Sequence, residues 1–302
     1  MISHSINSGI NGCPIIPGDK SISHRSIIIP SISKGVCEIS NILRSDDVLH
    51  TLEAFKLMGV KIIEENNKLI IFGNGLNSLK KPNKSIYLGN SGTSARLLTG
   101  LLSSQNFDSV LIGDDSLSNR PMKRISEPLT KMNAKIQTKD GGMPISIKGQ
   151  DLKPYNMHLE IPSAQIKSGL LLASLNTSGE TNITENRVTR DHTETMLEAF
   201  DANIVVRKNH NKKLIRIIGK KELKSKNIDV PNDLSSSAFF IVSALINDNS
   251  HIVLKNINNN PTRNGLILAL KKMGANISFS NERKNNEEVV CDIEVSSSNL
   301  KG

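Results

Sequence analysis

The chain has 302 residues, 37% hydrophobic and 22% charged, which suits a soluble globular protein long enough for two domains. Aromatic residues make up only 3%, with no Trp, so platforms for stacking bases or sugars are scarce and nucleic-acid and glycan binding are disfavoured. The net charge of +9 fits a generally basic surface, the reading composition favours, or a positive cleft that gathers small anions.

No block of Lys and Arg is long enough for a nucleic-acid tail, and no apolar run approaches the eighteen or so residues of a membrane span. Cys13, Cys37 and Cys291 have no metal-ligand spacing and are odd in number, which fits a reduced, cytoplasmic setting. Met1 to His4 carry neither a basic region nor an apolar core, so no secretory signal is expected.

In chain order, Pro17-Gly18 marks a bend, Asp19 can cap, and a helix is predicted from Lys20. Lys20 sits at its start, with Ser21 and Arg25 four apart on one face. A point charge, a hydroxyl and a guanidinium fork beside free helix N–H groups suit a phosphate or carboxylate. The same types also fit a solvated polar face with an ordinary cap, and alone they favour that plainer reading. A helix over 51–58 follows, then a turn at Gly59 and strands over 60–63 and 68–73.

A strand over 85–88 leads into Gly89-Asn90-Ser91-Gly92-Thr93 and a helix over 94–102. This Gly- and hydroxyl-rich turn leaves backbone N–H groups for an anion, or it is simply a capped helix start. Residues 114–122 read as a polar loop from which Arg120, before Pro121, projects; Asp114 and Asp115 read as solvated rather than metal-binding. Ser163 and Gln165 open a helix over 164–175 and stand equally well for a plain cap or a phosphate contact. His192, between Asp191 and Thr193 at another helix start, reads as a local hydrogen-bonding residue.

One design recurs: amphipathic helix, turn, two strands. Its turns fall at Gly59, Asn133, Asp201 and Gly274, spaced by 74, 68 and 73, and each should be a left-handed helix C-cap. Strands over 85–88, 157–161 and 227–230, each with a following helix, open the second, third and fourth units. The unit therefore reads β-α-β-α-β-β in an α/β (α+β) class.

Taken together, residues 17–25, 89–97, 116–122, 163–167, 189–194, 229–239 and 260–266 resemble the enolpyruvyl transferase family, and within it the EPSP synthases (3-phosphoshikimate 1-carboxyvinyltransferases) of the bacterial branch often called class II. The resemblance implies the enolpyruvyl transferase fold, with residues 19–232 as one domain of three units. Residues 1–18 plus 233–302 would form a partial second domain with one complete unit. It further implies transfer of the enolpyruvyl group of phosphoenolpyruvate to the 5-hydroxyl of shikimate 3-phosphate, in a hinged cleft, by a cytoplasmic monomer with no metal or other cofactor and no nucleic-acid or membrane partner.

By the same resemblance Lys20 would act in catalysis and touch both substrates. Ser21, Arg25, Ser163, Ala164, Gln165 and Arg190 would hold shikimate 3-phosphate, and Gly92, Arg120 and Gln165 phosphoenolpyruvate. Some glyphosate-tolerant relatives carry Ala where this chain has Gly92, so sensitivity to glyphosate is implied. The sibling that transfers enolpyruvate to UDP-N-acetylglucosamine is a weaker match, since it typically has Lys-Asn at the position of Lys20-Ser21 and a lid Cys absent from 116–122. The family's later acidic residues, second arginine cluster and closing Asp-His-Arg motif have no counterpart before Gly302. The resemblance therefore implies that the family's last third is missing, and a chain ending there would bind shikimate 3-phosphate weakly and turn over poorly or not at all. A non-catalytic binding fragment is the corresponding alternative.

Overall fold

Four amphipathic helices stop where the sequence places a residue able to enter the left-handed region. The computed structural model, which describes residues 8–209 and 212–302, has α2 (Asp46–Leu57), α5 (Lys123–Lys131), α7 (His192–Ala199) and α9 (Gly265–Lys272) ending just before these turns. The turn residues have φ of +83° at Gly59, +71° at Asn133, +64° at Asp201 and +88° at Gly274. A Cβ makes that conformation costly; Gly escapes the clash, while Asn and Asp tolerate it. The reading of Met1 to His4 lies outside the described residues.

After each turn comes a hairpin: β3 (Lys61–Glu65) with β4 (Lys68–Asn74), β7 (Lys135–Lys139) with β8 (Gly142–Lys148), β11 (Asn203–Asn209) with β12 (Lys212–Ile218), and β15 (Asn276–Asn285) with β16 (Glu288–Ser296). Each hairpin joins the strand before its helix. These are β2 (Lys34–Ser40), β6 (Ser109–Ile112), β10 (Glu180–Glu185) and β14 (His251–Asn258). A short parallel strand completes each four-stranded sheet: β5 (Ile86–Tyr87) beside β6, and β9 (Asn156–Leu159) beside β10.

The other two short strands are exchanged. β13 (Ile228–Asp229), expected to open the fourth unit, pairs with β2 in the first sheet, and β1 (Asn11–Gly12) pairs with β14 in the fourth. Nearness along the chain pointed to the fourth unit, but burial decides the pairing. Ile228 and Val230 lie in the larger apolar core, and Val230 N–H donates to the Ser40 carbonyl at 3.1 Å. The expected loop over 114–122 also contains one helical turn, α4 (Asp115–Ser118), capped by the Asp114 carboxylate.

The remaining helices are α1 (Lys20–Ser31), α3 (Gly92–Ser103), α6 (Ala164–Leu175) and α8 (Leu234–Ile246). The first three are buried on nearly every face. Gly100 and Gly169 let α3 and α6 touch backbone to backbone, since a Cβ on Gly100 would lie 1.9 Å from the Gly169 carbonyl oxygen. These helices carry the larger core, while a separate cluster around Ile16, Ile241, Leu254 and Ile293 holds the fourth sheet. The chain passes between the cores twice, side by side: Asp19 N–H donates to the Pro231 carbonyl at 2.8 Å, and Asp233 N–H to that of Pro17 at 2.9 Å. No helix of the described residues is long and apolar enough to cross a membrane.

Candidate anion-binding active site

The first turns of α1, α3 and α6 meet at one cavity of about 420 Å³, lined by Lys20, Asp47, Asn90, Gly92, Thr93, Arg120 and Gln165. Each of these helices has a side-chain cap: Asp19 accepts from Ile22 N–H at 2.9 Å, Ser91 from Ser94 N–H at 3.2 Å and Ser163 from Ile166 N–H at 3.4 Å. Capping satisfies one orphan donor per helix and leaves the positive dipole ends near the cavity. Three such ends with a lysine and arginines make a strong attractor for phosphate and carboxylate groups.

The Gly100–Gly169 contact is what lets α3 meet α6 here. Arg96 Nη1 donates to Gln165 Oε1 at 2.6 Å, and Gln165 Nε2 to Thr93 Oγ1 at 3.0 Å, so the amide is held facing the cavity. Burial, and then the charges of Arg120 and Arg124, lower the pKa of Arg96, a sign of concentrated positive potential. Lys20 pairs with Asp47 and Arg120 with Asn90. Both partners can be surrendered to an incoming anion, since the Lys20 side chain is 46% exposed and the Arg120 contact lies at the surface.

Lys20, Gly92, Arg120 and Gln165 therefore share one cavity. Ser21 and Arg190 stand together beside it, with Arg190 Nη1 3.5 Å from Ser21 Oγ. Arg25 points inward instead and is 4% exposed. Its Nε donates to Thr193 Oγ1 at 2.6 Å, Nη1 to the Ser21 carbonyl at 2.7 Å and Nη2 to Ser168 Oγ at 2.8 Å. Burial lowers its pKa to about 10, opposed by the charges of Glu194 and Asp19. Ser163 lines a neighbouring groove with Lys123 and Arg124, and Ala164 opens α6 with its carbonyl accepting from Ser168 Oγ at 2.6 Å.

Sequence reasoning singled out neither Asp47 nor Arg96. Arg96 lay within a run already noted for its glycines and hydroxyls, while Asp47 lay ahead of the helix expected over 51–58, which in the structure begins at Asp46. His192 is not locally bonded as expected: its Nδ1 lies 2.7 Å from Glu288 Oε1, ninety-six residues away. Behind the cavity, His24 Nδ1 lies 2.8 Å from Thr51 Oγ1, which is 2.6 Å from Ser94 Oγ, locking α1, α2 and α3 together.

Comparison with known proteins bears on this arrangement. Residues 5–301 match the family model described as EPSP synthase (3-phosphoshikimate 1-carboxyvinyltransferase). The chain belongs to the EPSP synthase family. It is 50% identical over 296 residues to 3-phosphoshikimate 1-carboxyvinyltransferase of Ruthia magnifica subsp. Calyptogena magnifica, covering 98% of this chain and 67% of the relative. Against the Vesicomyosocius okutanii subsp. Calyptogena okutanii protein of the same name it is 51% identical, over 95% of this chain and 65% of the relative. A solved EPSP synthase from Acinetobacter baumannii superposes with a TM-score of 0.91 at 48% identity, covering 98% of this chain and 67% of that one. The fold is thus the enolpyruvyl transferase fold, and the chain spans about two thirds of the length of these relatives.

Proposed function

We propose that this chain carries the substrate-binding half of an EPSP synthase and acts in transfer of the enolpyruvyl group from phosphoenolpyruvate to the 5-hydroxyl of shikimate 3-phosphate. In the reaction the hydroxyl loses its proton as its oxygen adds to the central carbon of phosphoenolpyruvate and the methylene gains one; the resulting methyl group then gives up a proton as phosphate leaves, which restores the double bond. Both substrates are multiply anionic, so preorganised positive charge is the main service the protein renders.

The observation that carries this reading is the meeting of Lys20, Gly92, Arg120 and Gln165 at three capped helix starts around one polar cavity. In it, Lys20 exchanges Asp47 for the substrates, and Arg120 with the Gly92 backbone takes the phosphoenolpyruvate anion. Ser21 and Arg190 hold shikimate 3-phosphate from one side, and Ser163, Ala164 and Gln165 from the other. Arg25 supports that site from within, fixing the Ser21 carbonyl. We read residues 19–232 as one domain and 1–18 plus 233–302 as part of a second, supported by the two apolar cores, in a cytoplasmic, monomeric enzyme of the shikimate pathway.

Titration calorimetry with shikimate 3-phosphate, alone and with phosphoenolpyruvate, tests the reading alongside phosphate release. Saturable binding with turnover supports it in full. Binding without phosphate release limits it to a binding role, and absence of saturable binding overturns it.

A further inference from the structure

The segment over 189–192 faces two ways. Arg190 is exposed and reaches toward Ser21 Oγ at 3.5 Å. The next two side chains turn to the fourth unit: Asp191 Oδ1 accepts from Asn260 Nδ2 at 2.8 Å, and His192 Nδ1 lies 2.7 Å from Glu288 Oε1. Asn260 follows β14, and Glu288 opens β16. Asn258 and Asn260 also donate to Glu288 Oε2, at 3.2 and 3.3 Å. His192 is 1% exposed, and Asn260 and Glu288 are 5% exposed.

A carboxylate this deeply buried would be strongly disfavoured without partners. Burial tends to raise the Glu288 pKa, but the charge and hydrogen bond of His192 and the donors of Asn260 and Asn258 hold it below the usual carboxylate value. The cluster is polar throughout, and its contacts to Asp191 and His192 tie those two residues to the fourth unit. From the other side Lys213 Nζ holds Asp191 Oδ2 at 3.2 Å, so the segment is clamped between the third hairpin and the fourth unit.

We propose that Glu288 and Asn260 are positioning residues for Arg190: by gripping His192 and Asp191 they fix the main chain at Arg190 and couple its anion site to the fourth unit. Consecutive Cα atoms are only about 3.8 Å apart, so a shift at 191 carries over to 190. Coupling is reciprocal, and an anion held by Arg190 tightens the same grip. The inference rests on the reading of Arg190 as a shikimate 3-phosphate contact.

The test is a double-mutant cycle on shikimate 3-phosphate affinity, comparing the parent with Glu288→Ala, Arg190→Ala and the pair. Glu288→Ala is expected to weaken binding about fivefold or more, and to add nothing once Arg190 is gone. Fully additive losses overturn the proposal, because a general structural role would act whether or not Arg190 is present. Amide hydrogen exchange without ligand is a second, independent measurement: faster exchange at 189–193 in Glu288→Ala is expected, and unchanged exchange there overturns the proposal. If the parent fails to bind shikimate 3-phosphate, the functional reading falls while the exchange experiment still judges the grip. Should Glu288→Ala not fold, Asn260→Ala, which leaves the His192–Glu288 contact in place, takes its part in both experiments.

Discussion

Lys167 Nζ lies 2.8 Å from Glu185 Oε2, and neither side chain has any exposed surface. The same ammonium is 2.8 Å from Glu194 Oε1 and donates to the Thr189 carbonyl at 3.4 Å, next to Arg190. Lys213 joins the group through Glu194 at 3.0 Å.

Removing Lys167 leaves buried carboxylates short of a cation. Lys167→Met is expected to destabilise by about 3–5 kcal/mol, the usual result of deleting one member of a buried ion pair. Urea unfolding measures it as a lowered midpoint at constant slope. A loss below about 1 kcal/mol would show that the network relaxes freely.

His24 gives stability a pH dependence. Burial, with the charge of Arg25, lowers its pKa from 6.5 to about 3, against an opposing pull from Asp47. The folded state therefore keeps His24 neutral while the unfolded chain protonates it. Its contribution is fully present above the unfolded pKa and is lost as pH falls from about 6.5 toward about 3. The loss from this group approaches about 1.4 kcal/mol per pH unit. Denaturation at pH 7.5 and 5 should show a shallower fall in His24→Gln; parallel falls would dismiss the role.

Arg25→Lys keeps the charge but not the fork. Three hydrogen bonds, to Thr193, Ser168 and the Ser21 carbonyl, now set its position. A lysine reproduces few of them, so shikimate 3-phosphate affinity is expected to fall about tenfold. Unchanged affinity in calorimetry would mean that the guanidinium geometry contributes nothing to the site.

Gly92→Ala separates fold from ligand. Its Cβ would lie 3.0 Å from Nη1 of both Arg96 and Arg120, the flexible ends of side chains. Stability should change by no more than about 0.5 kcal/mol, since those ends can move. On the proposed role of Arg120 and the Gly92 backbone, phosphoenolpyruvate affinity should drop about tenfold or more. Glyphosate, if it shares that site, should compete more weakly than in the parent.

Much of the fold was legible because local chemistry decides it. Gly59, Asn133, Asp201 and Gly274 announce left-handed turns by residue type, and the period between them gives the repeat. The family resemblance grouped residues 1–18 with 233–302 and kept 228–229 within 19–232, but the residues themselves did not announce the exchange of β1 and β13, since a two-residue strand carries no pattern and its partner is chosen by a distant core. Lys20, Gly92, Arg120 and Gln165 looked like anion chemistry and do share a cavity. The inward turn of Arg25 could not be foreseen, because its acceptors on Thr193 and Ser168 lie 168 and 143 positions away. Glu288 was hidden by a similar distance from His192, and Asp47 because its helix starts earlier than the expected 51–58.

The pairing of Asn11 and Gly12 with His251 and Ile252 also has a consequence in time. On the ribosome these residues are made about 240 positions before the strand that receives them, a wait of roughly 10–50 s at ordinary elongation rates. The first core faces a shorter version of the same delay, since β2 closes only when β13 arrives. Long-range closures of this kind slow folding, and they leave open sheet edges exposed in the interval. Between the synthesis of β13 and that of β14, a nascent chain of this protein would hold three nearly finished units with Asn11 and Gly12 still waiting for their partner strand. The docking of these two residues onto β14 is then expected among the last events of folding.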